Sequence, residues 1–285
     1  MTRSCAALIA LLLAACARPP ENDAPGRPAE KPPGEQLYEL TTTVLEDETH
    51  GPMLCPGGQT SSLPPQCGNV PITNWDWDEV DGEERMSGTI WGAFHVVGTF
   101  DGQAFTVTEV GPPGDQWFPF DHEIVAGCPE PEDGRAWPDP DRASQDDLDA
   151  AHALARSEPD FAGFWIDHLA TPNPRTPSDA QQVVITAAFT GDLDRHEADL
   201  RQEWGGPLCM VQFPRTYKEL KAIQKELGFE EIGELGLQLL YSDIDITSNV
   251  VEIYVVVLDD DARQALDERY GKGTVRATAA LKPVS

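Results

Sequence analysis

Chemistry in this chain would have to come from a few scattered groups. Among the six histidines, His122 stands in Asp121-His122-Glu123, close to Trp117, Phe118 and Phe120. This is the densest polar cluster near aromatic residues, and a His between carboxylates is a combination that general acid–base catalysis can use. No nucleophile or third partner can be named for it, so a solvated loop accounts for it more simply. His122-Glu123 also begins a zinc-helix pattern, but Ala126 stands where the second His is required. Asp76-Trp77-Asp78-Glu79-Val80-Asp81-Gly82 has the acidic spacing of a calcium loop. Val80 takes the third ligand position and Gly82 falls one place late, so it reads as a solvated acidic turn. His95 lies within a strand-like run and reads as a half-buried sheet residue. His196, between Arg195 and Glu197, reads as a helix-surface residue.

The chain has no Gly-x-Ser-x-Gly elbow, Ser-x-x-Lys pair, His-Glu-x-x-His helix, phosphate loop or dinucleotide fingerprint. With 49 Asp and Glu, no carboxylate pair can be nominated for glycoside hydrolysis. No catalytic residue, metal or cofactor is therefore assigned, and the expectation is a protein that is not an enzyme. Trp75-Asp76-Trp77-Asp78 is the most suggestive binding feature. On a strand, alternation would place both indoles on one face, as a ligand platform at Trp75 and Trp77 or as a core-facing pair.

The acids outnumber 20 Lys and Arg, for a formal net charge of −29 over 285 residues and a pI near 4.3. A nucleic-acid partner is excluded, because phosphate contacts need clustered Lys and Arg. At the N-terminus, Arg3 precedes an apolar run, residues 6–15, that is too short to span a bilayer. It ends in Leu13-Ala14-Ala15-Cys16, which resembles the lipobox of bacterial lipoproteins. That resemblance implies cleavage before Cys16 and a diacylglyceryl group on its thiol, and two acyl chains suffice for stable anchoring. The expected protein is tethered to the cell membrane through Cys16 on its extracytoplasmic side. Anionic lipid repels a body this acidic. Residues 17–36, with six prolines and no hydrophobic period, suit an extended spacer.

With Cys5 in the signal and Cys16 carrying lipid, four cysteines remain in an exported domain: Cys55, Cys67, Cys128 and Cys209. Two disulfides with three connectivities are open to them. The favoured set is Cys55–Cys67, closing a loop with Gly57-Gly58 and Leu63-Pro64-Pro65, and Cys128–Cys209. A zinc site is the rival, but no Cys-x-x-Cys pair or nearby His supports it.

The elements that must position these groups fall into an α+β order. Residues 1–15 are the signal, 16–37 a flexible tether, 38–128 a β-rich sandwich or barrel-like domain, 129–180 a Pro- and Asp-rich connector, and 181–285 an α+β domain. In the first domain, residues 89–100 and 103–110 flank Asp101-Gly102, a two-residue hairpin signal. In the connector, Ser144 and Asp147 open a helix with Leu148, Ala151 and Leu154 on one face. Pro172, Pro174 and Pro177 mark a break. The last region reads β-α-β-α-β-β-α-β, with helices on one face of a sheet. Its elements are strands at 183–189 and 208–213, a helix at 192–204, and a helix capped by Thr216 and Glu219. A hairpin across 247–249, a helix capped by Asp259 to Asp261 and a strand at 274–281 complete it.

Several stretches resemble a group of secreted or lipid-anchored actinobacterial proteins with no established activity. They are Ser62-Leu63-Pro64-Pro65-Gln66-Cys67-Gly68 with Trp75-Asp76-Trp77, Gly98-Thr99-Phe100-Asp101-Gly102, and Trp204-Gly205-Gly206-Pro207-Leu208-Cys209. Residues 245–283 are similar to the pro-regions of secreted actinobacterial serine proteases, which chaperone and inhibit their enzyme. The leading expectation is a non-catalytic binding or scaffold module of the cell envelope, with an unknown envelope protein or ligand as partner. The alternatives are a regulator of a secreted protease and an enzyme acting on envelope polymer.

Overall fold

Runs of Thr and Val interleaved with aromatic residues build the first layer of the fold. β1 (Leu37–Glu46), β2 (Met53–Leu54) and β3 (Val70–Pro71) lead to a single 3-10 turn at Trp77–Glu79. β4 (Glu84–Met86), β5 (Thr89–Phe100) and β6 (Phe105–Gly111) follow. The computed structural model describes residues 36–68, 70–114, 139–168 and 183–284. β1 runs antiparallel to β5 over its full length, from Leu37 opposite Thr99 to Glu46 opposite Ile90. Val44, Leu54, Phe94, Val96 and Phe105 point to one face and are buried together. Leu45, Cys55 and Trp91 form a smaller cluster on the other.

The β5–β6 hairpin forms where Asp101-Gly102 predicts it, but its turn is displaced by one residue. The Asp101 N–H donates to the Ala104 carbonyl at 3.2 Å, so Gly102 and Gln103 are the central pair. The Asp101 carboxylate accepts from the Gln103 and Ala104 N–H groups, both at 2.8 Å, and so draws the turn onward. Gly102, at φ +94°, supplies the positive φ that such a turn needs at its first central position. The register also shifts between Val97 and Gly98. A Cβ on Gly98 would meet the Thr106 carbonyl oxygen, so only glycine fits there.

The second half is a motif used twice. α1 (Gln145–Ser157), β7 (Phe161–His168), β8 (Val183–Phe189), α2 (Leu193–Glu203) and β9 (Leu208–Gln212) form the first copy. α3 (Tyr217–Glu226), the short α4 (Phe229–Glu234), β10 (Leu239–Asp245), β11 (Val250–Val255), α5 (Asp260–Tyr270) and β12 (Val275–Ala279) form the second. In each copy an antiparallel hairpin is extended by a parallel strand reached through a crossover helix, giving the orders β7-β8-β9 and β10-β11-β12. Helices cover one face of each sheet. Leu148, Ala151, Ala155 and Leu200 pack on Ile185, Ala187 and Phe189. Leu220, Ile232, Ala262 and Leu266 pack on Val251, Ile253 and Val255. The caps are those the sequence predicts: reciprocal boxes at Ser144/Asp147 and Thr216/Glu219, and Asp259 accepting from the Ala262 N–H.

The fold is α+β, with a β-rich region followed by an α+β region, but the expected single C-terminal sheet is two sheets. The connector expected over 129–180 also contributes a strand. β7 pairs along β8, so a boundary at 181 cuts a sheet in two. Gly228 caps the short helix α4, which the sequence does not announce. The final strand divides after β12, and β13 (Lys282–Pro283) crosses over to pair with β1. Val256 and Leu281 enter the core of the first sheet, and Gly34–Ser285 forms one compact unit. Among the described residues no helix is long and apolar enough to cross a membrane.

Candidate functional site

One face of the first sheet carries a cavity of about 710 Å³. Because side chains alternate along a strand, Glu39, Thr41 and Thr43 share the face opposite the main core. Thr41 stands across from His95 of β5, and Glu39 across from Lys282 of β13. These groups form the floor and one rim. The opposite wall is the loop at residues 56–60 with Gln66, and Tyr254 and Ala280 complete the lining.

The loop wall is fixed covalently and by hydrogen bonds. Cys55 and Cys67 form a disulfide with Cα atoms 5.6 Å apart, as the sequence reading proposed. Cys55 is sewn to β1 twice: its N–H donates to the Thr43 carbonyl, and its carbonyl accepts from the Thr42 hydroxyl, both at 2.9 Å. Within the loop the Thr60 N–H donates to the Gln66 carbonyl, and the Gln66 N–H donates to the Thr60 hydroxyl oxygen, again at 2.9 Å. Such a loop holds its backbone in place before any ligand arrives, which lowers the ordering cost of binding.

The chemistry inside is polar and mixed in charge. The His95 Nδ1 lies 3.0 Å from the Thr41 Oγ1. Its Nε2 is 3.7 Å from a Glu39 carboxylate oxygen, beyond hydrogen-bond reach. The Thr41 hydroxyl is thus the group within hydrogen-bond reach of the imidazole. Burial pushes the Tyr254 hydroxyl up to about 12, so it stays protonated and able to donate. Hydroxyls, amides, one carboxylate, one ammonium and one imidazole therefore converge on a single cleft.

The groups singled out in the sequence are placed differently. Trp75 and Trp77 do not alternate along a strand. Asp76 caps the 3-10 turn by accepting from the Asp78 N–H at 2.9 Å. The indoles meet edge-on with centroids 5.4 Å apart, and Trp75 lies 5.0 Å from Phe94. Trp77 donates its Nε1–H to Glu46 at 2.6 Å. Both rings are half-buried against the core, and the open platform that strand alternation would have made is not formed. His95 is the half-buried sheet residue expected, and it also lines the cleft. His196, expected on a helix surface, is 1% exposed. Cys209 is disulfide-bonded. Cys128, Cys16 and Asp121-His122-Glu123 lie outside the described residues. Glu39, Tyr254 and Lys282 carry no sequence signal, because only strand pairing brings them together. No known protein family and no curated protein matches this chain.

Proposed function

We propose that this protein is a lipid-anchored module of the cell envelope that holds a small polar ligand without transforming it. The cleft floored by Thr41 and His95 and walled by the disulfide-closed loop supports the binding half of this reading. Its mix of hydroxyl, amide and single charged groups suits a ligand rich in hydroxyl or amide groups, such as a sugar or peptide fragment of the envelope polymer. The anchor rests on the lipobox-like Leu13-Ala14-Ala15-Cys16.

Two measurements test the reading. Calorimetric titration of the chain from residue 17 with soluble envelope fragments should give saturable binding. Loss of one good hydrogen bond in Glu39→Gln or His95→Ala should weaken it about tenfold. Consumption of the fragment would replace binding by catalysis, and no saturation with any fragment would remove the ligand class. Cys16→Ser should release the full chain from membranes, and unchanged detergent-requiring association would sink the anchor. A protease recovered with the protein from envelope extracts would favour the regulator reading instead.

A further inference from the structure

Among the described residues His196 is the most completely buried ionisable side chain outside the cleft, and its surroundings are unusual for a core residue. The ring lies flat on Phe189, with centroids 3.6 Å apart and planes 6° from parallel. Its Nε2 is 2.8 Å from an Asp160 carboxylate oxygen, and its Nδ1 is 3.9 Å from a Glu158 oxygen. Three different elements bring these groups together. Glu158 is the C-cap of α1, Asp160 stands in the turn before β7, and His196 lies in the first turns of α2. One donor atom from each lies within 4.8 Å of the others.

Two contacts in this cluster cannot be satisfied by the side chains alone. The Arg195 Nη2 donates toward the same Nε2, at 2.9 Å, that faces Asp160. If Nε2 carries a proton, it donates to Asp160 and meets the arginine N–H head-on. If it does not, it accepts from Arg195 and its lone pair faces a carboxylate. The other Asp160 oxygen, Oδ1, is buried and has no hydrogen-bond partner. An orphaned buried acceptor is costly.

The second copy of the motif shows what packing alone requires. α5 buries Ala262 and Leu266, four apart, where α2 buries His196 and Leu200. The second copy thus closes its core without an imidazole on its crossover helix.

We infer that Glu158, Asp160 and His196 form a binding site for a divalent transition-metal ion, Zn²⁺ suiting the donor set best, with Arg195 as the side chain the ion displaces. Zn²⁺ bonds to imidazole nitrogen and carboxylate oxygen are about 2.0–2.2 Å, which places neighbouring ligand atoms roughly 3–4 Å apart. The Asp160 oxygen stands 2.8 Å from Nε2, and with one donor atom of each residue within 4.8 Å of the others a small closure brings Glu158 to that spacing. A hard cation such as Mg²⁺ would favour an all-oxygen site instead. An ion bound to Nε2 removes the tautomer conflict and gives the second Asp160 oxygen a positive neighbour. Arg195 Nη2 also donates to Glu158 at 2.8 Å, so the ion takes both Nη2 contacts, while the Nε and Nη1 groups keep Asp192 and Asp199, each at 3.2 Å. Its side chain is 43% exposed.

The test is titration of the chelator-treated full chain with ZnCl₂, followed by calorimetry and by the imidazole resonances. One equivalent should bind and move the His196 signals ahead of those of His50, His95 and His152. His196→Ala and Asp160→Asn should each weaken binding about 100-fold or more, since loss of an outer-shell partner alone costs roughly 10–100-fold. Glu158→Gln, at a helix end, guards against misfolding of the buried variants and should weaken binding in the same direction. Arg195→Ala should tighten it. Absence of saturable binding, affinity unchanged in Glu158→Gln, or weaker binding by Arg195→Ala would each overturn the site.

Discussion

Glu39 and Lys282 face one another across the β1–β13 ladder, and both line the cleft. The last strand of the fold thereby closes the first sheet. The Val284 N–H donates to the Leu37 carbonyl at 2.9 Å just beyond this pair, and Leu281 is 1% exposed within the core of that sheet. Lys282 is thus part of the site, and Leu281 beside it part of the core.

From this closure, Leu281→Ala should cost about 2–4 kcal/mol, the usual range for a buried large-to-small change. The loss should appear in one cooperative transition for the whole unit, followed by both fluorescence and circular dichroism. A C-terminal α+β domain that stands alone would fold as residues 182–285 once Cys209 is replaced by Ser, and that fragment tests it directly. That fragment lacks α1 and β7, so it should show no cooperative unfolding; a sharp thermal transition of the isolated piece would restore the separable domain.

Opening the Cys55–Cys67 bridge by a double Ser substitution should cost roughly 2–3 kcal/mol, because the closed loop is short. The effect on the cleft should exceed that on the fold, since the bridge holds one wall. Denaturant melts and ligand titration of the same variant check the two effects separately. Equal ligand affinity in the open-loop variant would show that the wall needs no covalent lock.

Asp245 provides an acid-sensitive contact. Burial alone would raise its carboxyl, but hydrogen bonds from Ser248, Thr247 and Arg276 outweigh this and hold it at about 2. A carboxylate with a folded value below its unfolded value stabilises the fold above the latter and ceases to do so as pH falls through the former. The loss should therefore run from near pH 4 down to near pH 2. The shift corresponds to about 2 kcal/mol, reduced to about 1 kcal/mol by solvent screening near the surface. Asp245→Asn should lower stability at pH 7 by about that amount and flatten this part of the acid limb. Denaturant midpoints measured across the range check both signs.

Thr216 accepts from the Glu219 N–H at 3.1 Å, while the Glu219 carboxylate accepts from the Thr216 N–H at 2.7 Å. Thr216→Ala should cost about 1 kcal/mol, and Thr216→Ser should be close to neutral. Chemical denaturation of the two variants distinguishes loss of the cap from loss of the methyl group.

What the sequence by itself determined is local. The caps at Ser144, Thr216 and Asp259, the strands at 89–100 and 183–189, and the Cys55–Cys67 loop all depend on groups a few residues apart, whose geometry a single turn or short loop dictates. Element types and most of their order follow from that. Tertiary structure decided everything that depends on which elements meet. Strand 274–281 has the same β-period whether it stays in one sheet or sends its end to β1, and only pairing places Lys282 beside Glu39. Residues 161–168 carry apolar side chains that suit a connector or a strand equally, until β8 offers them a partner. His196 lies between Arg195 and Glu197, so its neighbours in sequence describe a solvated helix face. Its burial comes from Phe189 on the strand beneath it and from Asp160 across the turn, and a contact between residues so far apart in the chain leaves no trace in the periodicity of either segment.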